Sequence, residues 1–394
     1  MDFIKLAALA QPDFKANPYP LYARLRAESP VCRTRFLGWR AWLVTRYNDV
    51  LNLLKDERLT KDKQPAANWI HIVSGSITRH MLNSDDNDHN RLRTLVHKAF
   101  TPTLVDRLHE NIQTVSHELL DRLDANSTFD LMRDYALPLP LTIISGLLGI
   151  PAEDRHCFHR RSRSSLSPST ILGVLRAVPD QRLLIRQLRK IVSQRRREPC
   201  DDLITALVQA EEAGDKLSEK ELIAAIFLLV IAGYESTVNL IGNGALTLIN
   251  NPAERLKLVE NPNLGATAVE ELLRYTSPLD ISTQRFAKED LRIAAVKISK
   301  GDAVFAVLGS ANRDESQFSE PNTLDLNREP NKHLAFGQGV HFCIGAPLAR
   351  VEARIALTTL FQRFPNLRLV KPCERLTWRK SLIVRGLEEL PVAV

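Results

Sequence analysis

The chain has little cysteine. Its five residues, Cys32, Cys157, Cys200, Cys343 and Cys373, are odd in number, scattered through 394 positions and free of any CxxC spacing. That argues against a disulfide framework or a structural zinc site and for a reducing compartment. Linkers rich in Gly, Ser or Pro, internal repeats and low-complexity tracts are all missing, so one domain is expected over residues 1–394. Met1 to Tyr19 lacks a long apolar stretch and carries Asp2, Lys5, Asp13 and Lys15. It reads as neither signal peptide nor membrane anchor, which makes a cytoplasmic protein the expectation. Basic stripes interleaved with aromatics are absent, against a nucleic-acid partner. So are a P-loop, a G-x-S-x-G elbow and an H-E-x-x-H motif. His156-Cys157-Phe158-His159 has no further ligands near it that would make a metal site.

What is present is the composition of a soluble globular protein: 44% hydrophobic and 25% charged residues, long enough to bury a large core around a cavity. Lys and Arg outnumber Asp and Glu by 53 to 46, a formal charge of +7. The densest basic clusters, Arg160-Arg161-Arg163 and Arg195-Arg196-Arg197, lie in helix-like segments where a solvated face is expected. The pattern is mainly α with small β-sheets. Strand-like pieces fall at Val31 to Phe36 and Ala41 to Val44, then helices dominate from Arg91 to Arg274, with breaks expected at prolines such as Pro168, Pro179, Pro199 and Pro252. Arg292 to Ile298 and Ala303 to Leu308 look like strands, Asn312 to Gly345 is irregular, and a last helix runs from about Pro347 to Phe364.

Two segments break local rules. Leu222 to Val230 is apolar nearly all round, as in a helix buried at the centre of a large protein, yet it runs into Ala232-Gly233-Tyr234-Glu235-Ser236-Thr237. Glycine weakens a helix, hydroxyls compete for its carbonyls and a buried carboxylate is costly. A helix end would explain this blandly, but Val238 to Leu248 resumes the helical pattern, which favours a site. The second segment is Phe336-Gly337-Gln338-Gly339-Val340-His341-Phe342-Cys343-Ile344-Gly345, just before the last helix. Its glycines permit tight turns and close backbone approach, and a helix N-terminus favours a thiolate at Cys343. A dinucleotide loop would need a third glycine that is not in place.

Together the two segments resemble the cytochrome P-450 superfamily, the haem-thiolate monooxygenases. The pattern FGxGxHxCxGxxLAR runs without a gap from Phe336 to Arg350. Glu271-Leu272-Leu273-Arg274 is similar to the family's E-x-x-R helix, with Arg328 as the second arginine of its network, and His89 to Arg93 matches an H-x-x-x-R pattern. The resemblance implies a cytochrome P-450 fold and one b-type haem whose iron takes Cys343 as axial ligand. The glycine loop, with Phe336, Gly337 and Gly345, would surround the sulfur, while His89, Arg93, Arg285 and His341 would meet the haem carboxylates. Ala232 and Gly233 would let the central helix pass close to the haem. Glu235 and Ser236, with Thr237 beside them, would be the acid–alcohol pair that relays protons toward dioxygen. Tyr234 and Ser236 depart from the His and Thr more usual there.

The implied activity is insertion of one oxygen atom from O2 into a largely apolar small molecule, with electrons from a separate ferredoxin or flavodoxin and its reductase. The alternatives are a peroxide-driven haem-thiolate oxygenase and a non-enzymatic haem-thiolate sensor. The pocket is expected to draw on Trp69, Ile70, Ile72, Val73, Leu172, Leu175, Leu229, Leu279, Ile281, Leu382 and Ile383, with Ser282, Thr283 and Ser381 as polar handles and Asp280 facing solvent. Lys98, Lys332, Arg350 and Arg354 are expected on the face that meets the redox partner.

Overall fold

The computed structural model describes residues 3–36, 39–61, 80–99, 102–123, 128–155, 157–158, 161, 171–212 and 217–394. The principal helices are α1 (Tyr19–Glu28), α2 (Tyr47–Lys55), α3 (Asp86–Ala99), α4 (Pro102–Asp121), α5 (Pro138–Leu148), α6 (Ile171–Arg197), α7 (Leu203–Glu212), α8 (Glu219–Ala232), α9 (Glu235–Asn250), α10 (Pro252–Glu260), α11 (Gly265–Thr276) and α12 (Ala346–Arg363). Pro179 lies inside α6 and does not end it, contrary to the break expected there.

The strands are few and short. A five-stranded sheet has the order β1 (Val31–Phe36), β2 (Trp39–Val44), β8 (Ala303–Ala306), β5 (Arg285–Ala287), β3 (Leu59–Thr60). A three-stranded sheet joins β4 (Thr128–Asp130), β10 (Pro391–Ala393) and β9 (Arg368–Leu369). The stretch expected as one strand from Arg292 to Ile298 is a tight hairpin of β6 (Leu291–Ile293) and β7 (Val296–Ile298), turning at Ala294 with φ 49°.

The helical core explains the placement of the site. From Leu222 to Val230 every side chain of α8 is buried, which is why its sequence shows no polar face. Ser218 and Glu221 close a capping box that fixes where α8 begins. The run Glu219–Asn250 contains an 18-residue window apolar enough to cross a membrane, but 72% of that window is buried within the protein. Helices α9, α11 and α4 pack around α12, so the helix that follows the Cys343 loop is held on several sides.

A second device holds that loop. Arg274 donates through Nε and Nη2 to Glu271 at 2.7 Å each, with both residues fully buried. Its other donors reach the carbonyls of Asn312 (3.0 Å), Pro321 (2.8 Å) and Thr323 (3.2 Å). Arg328 Nε at 3.2 Å, Asn331 Nδ2 at 3.1 Å and the Asp325 amide at 3.1 Å complete the shell around Glu271. An i,i+3 pair on a surface is worth little. Here a bidentate, desolvated pair organises the irregular chain that leads to Cys343.

Candidate active site

The loop from Phe336 to Gly345 is folded around its own backbone. The Cys343 amide donates to the Phe336 carbonyl at 3.0 Å, and the Phe342 amide to Gly339 at 3.0 Å. Gly339 has φ +75°, and a Cβ on it would stand 3.0 Å from the Leu54 carbonyl, so both backbone conformation and space require glycine. Gly337 shares the left-handed conformation, with φ +72°. Arg350 lies over the Phe336 ring at 4.5 Å and grips Glu270 through Nε (2.6 Å) and Nη2 (2.8 Å).

Cys343 is accessible to solvent, although protein atoms crowd around its sulfur. Burial pushes its thiol up, against the amides of Gly345 and Ala346 and the charges of Arg93 and Arg350, which favour the thiolate. The helix start therefore supplies the donors expected of it, but they do not outweigh desolvation on their own. A metal cation coordinated there would supply the remaining stabilisation, since a coordinating thiol is deprotonated outright.

Beside the loop, residues distant in sequence converge. His341 Nε2 lies 3.2 Å from Asp85 Oδ1, and the His341 and His89 rings are 4.4 Å apart. His89 is buried, and its Nε2 has no partner among the described residues. Arg285 and Lys61 are buried in the same electrostatic cluster, and Lys61 Nζ donates to the carbonyls of Thr283 (3.2 Å) and Gln284 (3.1 Å). Burial pulls Arg285 down to about 10, with Asp85 opposing. Burial and the Arg285 charge pull Lys61 well down. Burial also lowers His89 and His341. Among the described residues, four basic side chains thus gather around a single carboxylate, Asp85. Arg93, one turn beyond His89 on α3, couples electrostatically to Cys343.

The central helix breaks where its sequence breaks the rules. Gly233 ends α8 and Tyr234, with φ −130°, opens α9. A Cβ on Gly233 would fall 2.4 Å from the Leu229 carbonyl and 2.8 Å from Ile144, so a side chain there would disrupt the junction. Ala232 is exposed and Ser236 half-buried, four residues apart across the junction and between the buried runs Leu222 to Val230 and Thr237 to Leu246. Glu235 is buried and ion-paired to Arg379, which also donates through Nε to the Leu387 carbonyl at 3.1 Å. Thr237 is buried against Glu352 of α12. Burial pushes the Glu352 carboxyl well above the usual range, and Thr237 offsets this only in part, so the neutral acid is favoured.

Several expectations change. Asp280 does not face solvent: it is buried, bonded by Lys15 Nζ at 2.6 Å and Tyr22 at 2.8 Å. Ile281 and Leu382 pack into the N-terminal core with Leu9, Tyr22 and Phe305. Thr283 serves Lys61, and the Ser381 hydroxyl accepts from the Val384 amide at 3.1 Å. Arg350 is engaged by Glu270, leaving Lys332 exposed and Arg354 half-buried on that side. Trp69, Ile70, Ile72 and Val73 lie outside the described residues, as do the side chains of Lys98, Leu172 and Leu175. Lys61, Asp85, Arg379 and Glu352 were not singled out from the sequence, because a lone charge carries no signal until the fold buries it.

The family profile described as Cytochrome P450 matches residues 181–385. The polyketide biosynthesis cytochrome P450 PksS of Bacillus subtilis (strain 168) is 43% identical over 97% of this chain and 97% of its own length. The chain belongs to the cytochrome P450 family. Among solved structures, the myxobacterial cytochrome P450 CYP267B1 in complex with myristic acid superposes with a TM-score of 0.93 at 39% identity, covering 98% of each chain. P450BioI, in complex with an acyl carrier protein ligated to hexadec-9Z-enoic acid, superposes at 0.90 with 38% identity, covering 97% of this chain and 99% of its own.

Membership makes this protein a haem-dependent monooxygenase acting on an apolar organic substrate. The residues fit the cofactor: an accessible thiol backed by amides, and beside it basic side chains that outnumber their described carboxylate, with one nitrogen, His89 Nε2, unpartnered among the described residues. When bound, haem supplies the activation of dioxygen and thereby the oxygen-insertion chemistry.

Proposed function

We propose that Cys343 is the axial ligand of haem b and the only protein ligand to iron. His89, Arg285 and His341 hold the haem carboxylates, with Lys61 adding charge and Arg93 supporting the thiolate. Gly337 and Gly345 let the Phe336–Gly345 loop approach the sulfur closely, and Ala232 and Gly233 give the cofactor room at the helix junction. The observation that carries this reading is the coincidence of an accessible thiol at the start of α12 with a buried surplus of basic groups beside it.

Ser236 passes protons toward the reacting oxygen and Glu235 feeds it, held in position by Arg379. Glu352, kept neutral by burial, is a second proton store behind Thr237. The retained hydroxyl and acids favour a dioxygen-driven enzyme over a peroxide-driven one. The whole chain works as one monooxygenase domain in the cytoplasm, with a ferredoxin or flavodoxin and its reductase supplying electrons. Lys332, Arg354 and the exposed Val340 are the approach surface for that partner.

The substrate is an aliphatic chain of the fatty-acyl or polyketide type, free or borne on a carrier protein, a reading supported by the relatives' ligands. The test is substrate-dependent consumption of reduced nicotinamide cofactor with added redox partners, and oxygenated product per electron in the parent and in Ser236→Ala. The reading expects product in the parent, and intact haem but less product per electron in the variant. Equal yields would remove Ser236 from proton delivery. Reduction by a ferredoxin that is insensitive to both salt and Arg354→Glu would remove the approach surface.

A further inference from the structure

The formal charge of this chain is not spread over it. Helix α6 contains eight Lys and Arg and one Asp, a net +7, which equals the charge of all 394 residues; the rest of the chain is neutral overall. Part of this is internal wiring. Arg195 pairs with Asp202 and donates to the Gly149 carbonyl at 2.8 Å, and Arg196 pairs with Glu211, which ties the end of α6 to α7.

The other described cations are not so used. Arg182, Arg186, Arg189, Lys190 and Arg197 are exposed, and none makes an ion pair among the described residues. At roughly 100° per residue they fall on one stripe about 100° wide, and at 1.5 Å per residue it is about 22 Å long. The opposite face, with Leu184, Leu188, Ile191 and Val192, is buried. Leu183 borders the stripe and is 45% exposed. Like charges at i,i+4 repel, so this stripe is unfavourable for the isolated helix and becomes favourable against an acidic surface.

We propose that this face of α6 docks the acidic helix of a carrier protein that delivers the substrate as a tethered acyl chain, with Leu183 as an apolar anchor at the edge. The proposal rests on the acyl-substrate reading given above and names the surface that serves it. Position favours this occupant over the redox partner. Helix α6 packs on α7 and α8, whereas α12, which follows the loop that electrons must reach, packs against α4, α9 and α11. Helix α8 ends at the accessible Ala232, so a chain delivered on the α6 side is offered to the helix that lines the site. An anionic lipid surface would call for a broad apolar face beside the basic one, and among the described side chains of this helix Leu183 is the one exposed large hydrophobic.

The experiment uses the haem-loaded protein and the triple variant Arg182→Glu, Arg186→Glu, Arg189→Glu. Each is titrated with a bacterial acyl carrier protein bearing a palmitoyl chain and, separately, with free palmitate, at low salt and at high salt. Binding is read by calorimetry and by the haem absorption spectrum. The expected result is carrier affinity at least tenfold weaker in the variant and weakened by salt in the parent, with the response to free palmitate unchanged. The charge-conserving triple Arg→Lys variant should bind the carrier like the parent, and circular dichroism should be the same for all three. Equal carrier affinity in parent and Glu variant overturns the proposal. So does stripe-dependent binding to phosphatidylglycerol vesicles or duplex DNA without binding to the carrier. A parent that answers free palmitate but not the carrier overturns the docking surface and leaves the substrate reading standing. A parent whose spectrum answers neither, when other apolar compounds shift it, overturns the acyl-substrate reading itself.

Discussion

Two regions of this molecule bury charged side chains beside the Cys343 loop, and they do so in opposite ways. Around Glu271 the charges are saturated: Arg274 and Arg328 meet one carboxylate, and their remaining donors find backbone carbonyls. Around Asp85 they are unbalanced among the described residues: Lys61, His89, Arg285 and His341 gather near a single carboxylate. A saturated cluster holds the chain in place; an unbalanced one is preorganised for an anionic ligand. Buried charge as such distinguishes nothing, and the balance of donors and acceptors does.

The largest effect should follow from breaking the saturated cluster. Arg274→Met leaves Glu271 buried with its main partner gone, and should cost about 3–5 kcal/mol, the usual penalty for half of a buried pair. Urea unfolding of the haem-free protein measures it. A loss below about 1 kcal/mol would mean that this network does not organise the loop.

In the unbalanced cluster the sign should differ. Arg285→Met removes a buried guanidinium whose one described hydrogen bond is a long 3.4 Å contact with the Leu54 carbonyl. The haem-free protein should be as stable as the parent, or more stable by about 1 kcal/mol, because an apolar replacement escapes the desolvation penalty. Haem, however, should be lost about tenfold faster, the worth of a charge-assisted hydrogen bond. Transfer of haem to an acceptor protein and urea unfolding read the two effects separately. Destabilisation without faster haem loss would merge the two regions into one structural class.

The smallest effect is expected one residue from the buried network. Glu270 is half-buried: burial raises its carboxyl, but Arg350 and His333 outweigh this and hold it down at about 2. A depressed carboxylate stabilises the fold above its ordinary value of 4.5 and loses that contribution as pH falls toward 2. The parent should therefore lose more stability than Glu270→Gln between pH 4.5 and 2.5. Parallel stability curves would show the pair to be inert.

The sequence was informative where neighbours in the chain are neighbours in space. The Phe336 to Arg350 pattern, the Glu271-x-x-Arg274 step and the break at Gly233 are local, and each appears in the structure as a loop, a bidentate pair and a helix junction. The unbalanced cluster was legible only in part. His341 and Asp85 are 256 residues apart, and Glu235 and Arg379 are 144 apart. Their polar character looked ordinary until the fold buried them. Asp280 shows the same failure in reverse, since Lys15 and Tyr22, far away near the N-terminus, explain why a carboxylate there is buried. Arg350, expected on a docking face, is drawn off by Glu270 on the adjacent helix α11.

The central claim is that Cys343 holds the haem iron through its sulfur. The most direct measurement is the absorption spectrum of the reduced protein under carbon monoxide, in the parent and in Cys343→Ala. The account predicts the red-shifted thiolate band in the parent and its loss in the variant, with the helical content of the two proteins equal. A variant that keeps the thiolate band would contradict the account.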